Sequence, residues 1–384
     1  MGGASETWGL ARPAPRLREA LRELGEWLVV GGLTPILFAL SWLAREPLGL
    51  SDAEYWTGFT FFYAAHLLND PHFAVTYLLF YRDVRARALG DRLPRGQRVR
   101  YVLAGFVAPL ALAALAIGAI ATGSAATLGL LIQLMFLLVG WHYVKQGFGV
   151  AMVLSARRGV RYSRLERGAL LAHGYAGWAY AWASPFDPGT AAEEKGVLYT
   201  TIAHPPGLEA VTLALFAASG VFLALVIARK LRREGRLPLF TPMTGLVASV
   251  WAWSVYSQLD PLVRYAVPAL HSVQYLYFVW LMKRNETRER EREPYFETAS
   301  RTRLVILAVC ALGLGLFLFD LAPAILDGAL APHGGRAGGD PLGPTPWLAA
   351  LYAFVNLHHY AMDAVIWRRE HPEARYLTLP SARG

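Results

Sequence analysis

The chain contains a single cysteine, Cys310, which lies in an apolar run. One cysteine excludes an intramolecular disulfide framework and a Cys-x-x-Cys motif for metal or redox chemistry. The sequence also has no repeat with a period of about 20 to 50 residues, and no linker divides it into domains. The first 26 residues mix Arg and Glu, and no small-residue cleavage site follows them. We therefore expect no removable signal peptide.

Charged residues are also scarce, at 17% of the chain, whereas hydrophobic residues make up 55%. Segment 101–122 holds no charged residue at all. At about 1.5 Å per residue, about twenty residues cross a hydrocarbon core of about 30 Å. The net charge of +9 comes from basic residues in short loops rather than on one face, which argues against nucleic acid as a partner. These features predict an integral membrane protein surrounded by the lipid bilayer.

Ten apolar segments are candidates for membrane-spanning helices. We therefore predict an all-α, polytopic helical bundle with about ten spans, at 27–44, 56–81, 101–122, 124–154, 168–184, 208–228, 242–259, 265–282, 303–322 and 346–367. If the N-terminus is cytoplasmic, 32 of the 37 Lys and Arg residues fall on the cytoplasmic side. Because basic residues accumulate in cytoplasmic loops, we expect both termini in the cytoplasm and a bacterial-type cytoplasmic (inner) membrane.

These spans define three parts of the chain. Residues 1–26 form a cytoplasmic segment, 27–367 a single transmembrane domain and 368–384 a cytoplasmic tail. The apolar residues of RLREALRELGEW, at 16–27, share one helical face. This pattern fits a helix on the membrane surface or a solvated helix, and the sequence leaves both open.

Ionisable residues inside a lipid-spanning segment are expensive, which makes a cluster of them a candidate functional site. Four predicted spans carry such residues: His66, Asn69, Asp70, Pro71 and His72 in the second; His142, Lys145 and Gln146 in the fourth; His271, Gln274 and Tyr275 in the eighth; and His358, His359 and Asp363 in the tenth. In each span a histidine precedes the next cytoplasmic basic residue by about 14 to 22 Å of helix. We therefore expect the four spans to close around one site.

Neutral imidazole is a suitable metal ligand at such depth, because a carboxylate would be buried as an anion. The candidate ligands are His72, His142, His271, His66 and one or both of His358 and His359. Asp363 lies four residues after His359, and Asp70 four after His66, so each pair shares a helical face. Each carboxylate could accept the free N–H of a ligand ring, and Asn69 lies beside them. We also expect Asp70-Pro71 to break or kink the second span.

The motifs occur in a suggestive order: Pro71-His72-Phe73-Ala74, His142-Tyr143, His271-Ser272 with Tyr275, and His358 before Asp363. In these patches the chain resembles the bacterial Brp/Blh-type β-carotene 15,15′-dioxygenases. Those multi-span membrane proteins carry a Pro-His-Gly-Ala motif, a His-Phe motif, a His-Ser-x-x-His motif and a late His followed by Asp. The second histidine of the third motif is Tyr275 here, so a fourth ligand would come from His358 or His359.

The resemblance implies an iron-dependent oxygenase that cleaves a polyene reached through the lipid, with His72, His142 and His271 as iron ligands. More broadly, we predict a His-ligated metal oxidoreductase or oxygenase acting on a carotenoid, isoprenoid or unsaturated lipid. Fe(II) is the expected cofactor, with Zn and then haem as alternatives. The residues expected to orient a ligand or to contact substrate or oxygen are Asp363, Lys145, Gln146, Gln274 and Tyr275.

Other functions are compatible with the same residues. A di-iron lipid desaturase or hydroxylase would carry His-x-x-His-His boxes, which are absent. A haem protein could use paired histidines as axial ligands. A proton-coupled transporter or other membrane carrier could use the intramembrane His, Asp and Lys residues as a relay, and a proline-broken span is common at transport sites. The remaining histidines, His173, His204, His333 and His371, are expected to be structural or solvent-exposed.

Overall fold

The computed structural model describes residues 15–184, 189–235, 239–255, 261–330 and 341–378. About 82% of the structure is helical, which confirms the all-α prediction. The α-helices of the first half are α1 (Pro15–Trp27), α2 (Leu33–Leu48), α3 (Leu50–Tyr81), α4 (Val84–Leu89), α5 (Arg95–Val102), α6 (Ala108–Ala121), α7 (Ala125–Arg157) and α8 (Arg164–Ala183). Those of the second half are α9 (Leu208–Glu234), α10 (Phe240–Val247), α11 (Pro261–Arg290), α12 (Ser300–Leu316), α13 (Ala322–Leu330), α14 (Pro346–Ile366) and α15 (Arg375–Thr378).

Short elements interrupt or join these helices. π-helical segments at Leu28–Gly32, Leu103–Val107 and Phe317–Leu321 connect consecutive α-helices, and another, Ala248–Val255, follows α10. A 3-10 turn, Pro372–Ala374, precedes α15. Two antiparallel strands, β1 (Ala191–Glu194) and β2 (Val197–Thr200), pair from Ala191 with Thr200 to Glu194 with Val197. This hairpin lies between the fifth and sixth predicted spans, where the sequence predicted no strand.

Each of the ten predicted segments lies in helix, to within a residue or two, as far as the described residues extend. Among the described residues, five continuous helical runs are long and apolar enough to cross a membrane: Leu17–Arg45, Arg95–Ala121, Ala125–Arg157, Leu208–Glu234 and Ser300–Leu330. Helices α3, α11 and α14 do not reach this criterion, because they carry the polar residues of the candidate site. The number of spans and the sides of the termini stay predictions.

The distribution of apolar surface fits a lipid environment. Large apolar side chains on α6, α9 and α12 are exposed, among them Leu110, Leu225 and Val309. In contrast, the inward-facing histidines of α3, α7, α11 and α14 are buried: His72, His142, His271, His358 and His359. Soluble monomers rarely expose such continuous apolar surface. This inverted arrangement is compatible with an integral membrane protein whose apolar helices face the lipid and whose polar residues face inward.

Pro71 does not break its helix, so of the two predicted effects, a break or a kink, the break is absent. Helix α3 runs without interruption from Leu50 to Tyr81 with Pro71 inside it. Helix α3 packs against α11, α12 and α14. These contacts keep the helix continuous, although proline removes one backbone hydrogen bond. Gly315 of α12 lies so close that a Cβ there would be 2.8 Å from the carbonyl carbon of Asp70.

A buried ionic network fastens the segment after α14 to the ends of other helices. Glu373 accepts hydrogen bonds from Arg87 Nη2 (2.7 Å) and Lys283 Nζ (2.5 Å), while Lys283 also donates to Glu286 (2.7 Å). His371 Nε2 lies 3.2 Å from Arg87 Nη1. Burial, reinforced by Arg87, lowers the pKa of His371 to about 4. Burial raises the pKa of Glu373, but Lys283, His371 and Arg87 together outweigh burial and lower this pKa to about 2.

Replacement of Gly315 by alanine should loosen the packing of α12 on α3. The added methyl would meet backbone rather than a movable side chain, so we expect a loss of about 1 to 3 kcal/mol, measured as a lower thermal unfolding midpoint in detergent. Gly313→Ala is the matched control, since no atom lies within 4 Å of its Cβ position. Alanine is the better helix former, so Gly313→Ala should keep or raise the midpoint; equal losses in both variants would contradict the assignment.

The His371 network should make the protein less stable in mild acid. Between its ordinary value of 6.5 and the folded value of about 4, His371 is protonated in the unfolded chain but neutral in the folded one. Stability is therefore lost as pH falls through this window, by about 2 kcal/mol from pH 7 to pH 5. His371→Asn keeps an acceptor for the backbone N–H of Glu373, which His371 Nδ1 now accepts. Unfolding in detergent at both pH values should show a smaller acid loss in this variant; an equal loss would contradict the role.

Candidate metal centre

Four buried histidines, one from each site-bearing helix, meet at one point. They are His72 of α3, His142 of α7, His271 of α11 and His359 of α14, and one ring nitrogen of each lies within 4.8 Å of the others. Their helices are those that the sequence predicted to surround one site. The structure therefore brings together His72, His142 and His271, the three ligands that the motifs predicted. Of the adjacent histidines 358 and 359, it is His359 that joins them.

The spacing of the nitrogens suits a shared ion. His142 Nε2 lies 3.2 Å from His271 Nε2 and 3.3 Å from His359 Nε2. A ring nitrogen carries either one proton or one lone pair, so hydrogen bonds could join these three atoms only through a shared proton. Nitrogens bound tetrahedrally at about 2.0 to 2.1 Å lie about 3.3 to 3.4 Å apart. The observed separations are close to this value, and the donor set fits a metal ion.

The orientation of His72 depends on a serine of the next site helix. Ser272 Oγ lies 3.3 Å from His72 Nδ1 and donates to Pro268 O (2.7 Å) or Asn69 Oδ1 (3.1 Å). The hydroxyl therefore accepts the Nδ1 proton of His72, which leaves the lone pair on Nε2. That Nε2 atom is buried and has no hydrogen-bond partner among the described residues. Asn69, predicted beside the ligands, thus acts on His72 through Ser272.

Asp363 approaches the centre itself. Its Oδ2 atom lies 3.4 Å from His359 Nε2 and 3.7 Å from His142 Nε2. Asp363 therefore faces the nitrogens that converge on the centre. The sequence instead predicted that it would accept the N–H on the other nitrogen of a ligand ring. Tyr275 Oη donates to Asp363 Oδ1 (2.8 Å) and lies 2.6 Å from Thr76 Oγ1. This chain fixes the carboxylate, which can therefore balance charge at the centre or join its ligands.

His358 points away from the centre and is not among its ligands. Its Nε2 lies 3.0 Å from Ala104 O and its Nδ1 lies 3.0 Å from Tyr77 Oη. Ala104 belongs to the π-helical segment Leu103–Val107, where irregular helix geometry leaves carbonyls in need of donors. Consecutive residues on a helix are about 100° apart, so His358 and His359 cannot both face one point.

The predicted substrate contacts at Lys145, Gln146 and Gln274 are not part of the cavity described below. Gln146 Nε2 donates to His271 O (3.1 Å) and to Gln274 Oε1 (2.8 Å), and Gln274 donates to Val30 O in the π-helical segment Leu28–Gly32. These two amides join α7, α11 and the N-terminal helices. Lys145 is exposed and forms no ion pair with the described residues.

His66 lies in a separate group. Its Nδ1 atom is 3.2 Å from Asp70 Oδ2 and 3.5 Å from Asp320 Oδ2. The predicted pair of His66 and Asp70 therefore forms, but it does not reach the four histidines. Residues two apart on a helix point about 200° apart, so Asp70 and His72 lie on opposite sides of α3.

A cavity of about 500 Å³ extends from the centre towards the hairpin, within the usual size range of small-molecule sites. His142 and His271 line one end of it, and Glu194, Tyr199 and Thr201 of the hairpin region line the other. Aromatic side chains form much of its wall: Phe73, Phe136, Tyr143, Trp178, Trp182, Trp253, Tyr352 and Tyr360. The cavity can therefore hold an elongated apolar molecule with one end at the histidines.

Sequence reasoning missed several residues of this site. Thr76, Gln133 and Glu194 were not singled out, and His204, expected to be structural or exposed, lines the cavity. Gln133 ties β2 and the following residues to α7, since it accepts from Ile202 N (2.6 Å) and donates to Thr200 O (3.3 Å). The available signal was Gln133 itself, the one glutamine in the uncharged first part of the fourth predicted span, 124–144. No sequence pattern indicated that the hairpin would fold over the cavity.

Comparisons with known proteins add no assignment: no family model, no curated protein and no solved structure matches the chain. The candidate site therefore has to be interpreted from its own geometry.

Tyr275→Phe should weaken metal binding. Loss of the hydroxyl removes one of the hydrogen bonds that position Asp363, and loss of such a supporting contact typically costs about 10- to 100-fold in metal affinity. Zn(II) titration of metal-stripped protein in detergent would measure the change. Tyr277→Phe is the matched control, because Tyr277 Oη donates to Glu26 near the end of α1. Unchanged affinity in Tyr275→Phe, or an equal loss in Tyr277→Phe, would contradict the role assigned to Tyr275.

Proposed function

We propose that the protein is a membrane-embedded, His-ligated metal oxidoreductase, an oxygenase that acts on a hydrophobic substrate such as a carotenoid, isoprenoid or unsaturated lipid. The observation that carries the proposal is the convergence of His72, His142, His271 and His359, with the carboxylate of Asp363, at the end of an aromatic cavity. Catalytic metal sites pair a fixed ligand set with space for a substrate, and the chain offers both.

The protein groups have distinct tasks in this proposal. The four imidazoles would hold the ion while neutral, and Asp363 would offset part of its charge, so the centre avoids burying a full double charge in low dielectric. Fe(II) is the ion that we propose, since imidazole and carboxylate suit it; when bound, it would supply redox chemistry and a coordination position for O₂. Zn(II) fits the same ligands but would not supply the redox chemistry.

The cavity would position the substrate. Aromatic walls favour a rigid, apolar chain through contact with its faces, and a cavity of about 500 Å³ would surround the part of the substrate next to the ion. The hairpin and Gln133 line the far end of the cavity. The resemblance in the motifs at His72, His142 and His271 to the Brp/Blh-type enzymes supports a polyene as the first substrate to test.

The adjacent histidines of α14 provide a direct test of the proposed centre. His359→Ala should lose bound iron and oxygen uptake, because it removes a nitrogen 3.3 Å from His142 Nε2. His358→Ala should keep near-stoichiometric iron, since its ring contacts Tyr77 and Ala104. Elemental analysis of anaerobically purified protein would measure iron, and an oxygen electrode with β-carotene and with unsaturated phospholipid would measure turnover.

The outcomes separate the competing functions. Iron retained in His359→Ala, or lost equally in both variants, would remove the four-histidine centre from the proposal. A Soret band in the wild-type protein would indicate haem instead. Absence of metal after anaerobic reconstitution of the wild-type protein would favour the transporter alternative, in which the histidines form a proton or hydrogen-bond network.

A further inference from the structure

We propose a second divalent-cation site, formed by His66, Asp70 and Asp320, on the side of α3 that faces away from the four histidines. One ligand atom of each residue lies within 4.8 Å of the others. The residues come from α3 and from the π-helical segment Phe317–Leu321 that follows α12. The site goes beyond the proposed function, and it needs neither the cavity nor the four-histidine centre.

The geometry places three ligand atoms around one point. His66 Nδ1 lies 3.2 Å from Asp70 Oδ2 and 3.5 Å from Asp320 Oδ2, separations of the size found between atoms bound to one ion. The close approach at Gly315, whose Cβ position is 3.0 Å from Asp70 O, brings the α12 run against α3 at this level. The π-helical turn then places Asp320 opposite His66.

With both carboxylates ionised, the group carries a net negative charge that a further cation or a shared proton would offset. One ring nitrogen can donate a single proton and so cannot satisfy two carboxylates. Asp320 Oδ2 is buried and has no hydrogen-bond donor among the described residues. Even with His66 protonated, one negative charge remains. In the described part of the chain, no Lys or Arg pairs with either carboxylate; Lys195, which acts on Asp70 from farther away, lies 3.9 Å from Glu194 and over the Tyr352 ring.

The ligand set indicates the class of ion. One imidazole and two carboxylates suit Mn(II), Fe(II) or Zn(II) better than a thiolate-seeking ion. The side chains of His66 and Asp320 are 39% and 37% exposed, whereas that of Asp70 is 8% exposed. The site is therefore anchored on its buried side and open on the other, which leaves coordination positions for water or another ligand.

Mn(II) titration of the full chain would test the second site. Metal-stripped protein in detergent would be titrated with Mn(II), with free ion counted by electron paramagnetic resonance and bound ion by elemental analysis. We expect two ions per wild-type chain, one in Asp320→Asn and one in His142→Ala, because each variant damages one site. Asp320→Asn should weaken the lost site at least tenfold and leave the other unchanged.

Asp327→Asn is the matched control from the same helical run. Asp327 accepts the backbone N–H groups of Trp347 and Leu348, and asparagine keeps an acceptor there, so two ions should still bind. Equal binding by wild type and Asp320→Asn would overturn the second site. If the wild-type chain binds one ion, and only His142→Ala removes this ion, the second site is also overturned. The positive charge near Asp70 and Asp320 would then come from a shared proton. A single ion removed only by Asp320→Asn would instead support this site while refuting the four-histidine centre.

Discussion

The approach of His142 Nε2 to the Nε2 atoms of His271 and His359 is the contact on which the rest of the structure depends. Three like nitrogens at 3.2 to 3.3 Å, buried in low dielectric, are stable together only around a cation or a shared proton. To hold them there, α3, α7, α11 and α14 must each present a polar residue at the same level. Helices with such residues are poor lipid-facing elements, which is why α6, α9 and α12 carry the exposed apolar surface.

Irregular helix geometry explains several polar residues that are not at the centre. A π-helical turn disturbs the regular pattern of backbone hydrogen bonds, and buried carbonyls then need other donors. Gln274 donates to Val30 O and His358 lies 3.0 Å from Ala104 O, both within π-helical segments. In the sequence, Gln274 and His358 resemble site residues because they are polar and lie within predicted membrane spans. In the structure, their side chains contact backbone carbonyls of the π-helical segments instead.

The sequence was sufficient for the helices and for the position of the centre, since the apolar runs fix the helices and equal depth fixes the level of the histidines. It could not choose between His358 and His359, because that choice depends on the rotation of α14, which tertiary contacts set. The break expected at Pro71 was wrong for a similar reason: packing on α3 outweighs the lost hydrogen bond. Contacts between residues distant in sequence determine the hairpin, the π-helical segments and the position of Asp320. A local sequence pattern cannot predict such contacts.

Tyr275 occupies the position at which the third motif of the Brp/Blh-type enzymes has its second histidine. This difference affects the charge at the proposed centre. A histidine at 275 would lie one turn from His271 and could supply a second nitrogen from α11. With tyrosine there, the fourth nitrogen comes from His359 of α14, and the hydroxyl donates to Asp363 (2.8 Å). Asp363 adds a negative charge beside the four imidazoles. In the proposed site, the ion would thus be held by nitrogens from four helices and balanced by a carboxylate that Tyr275 keeps in place.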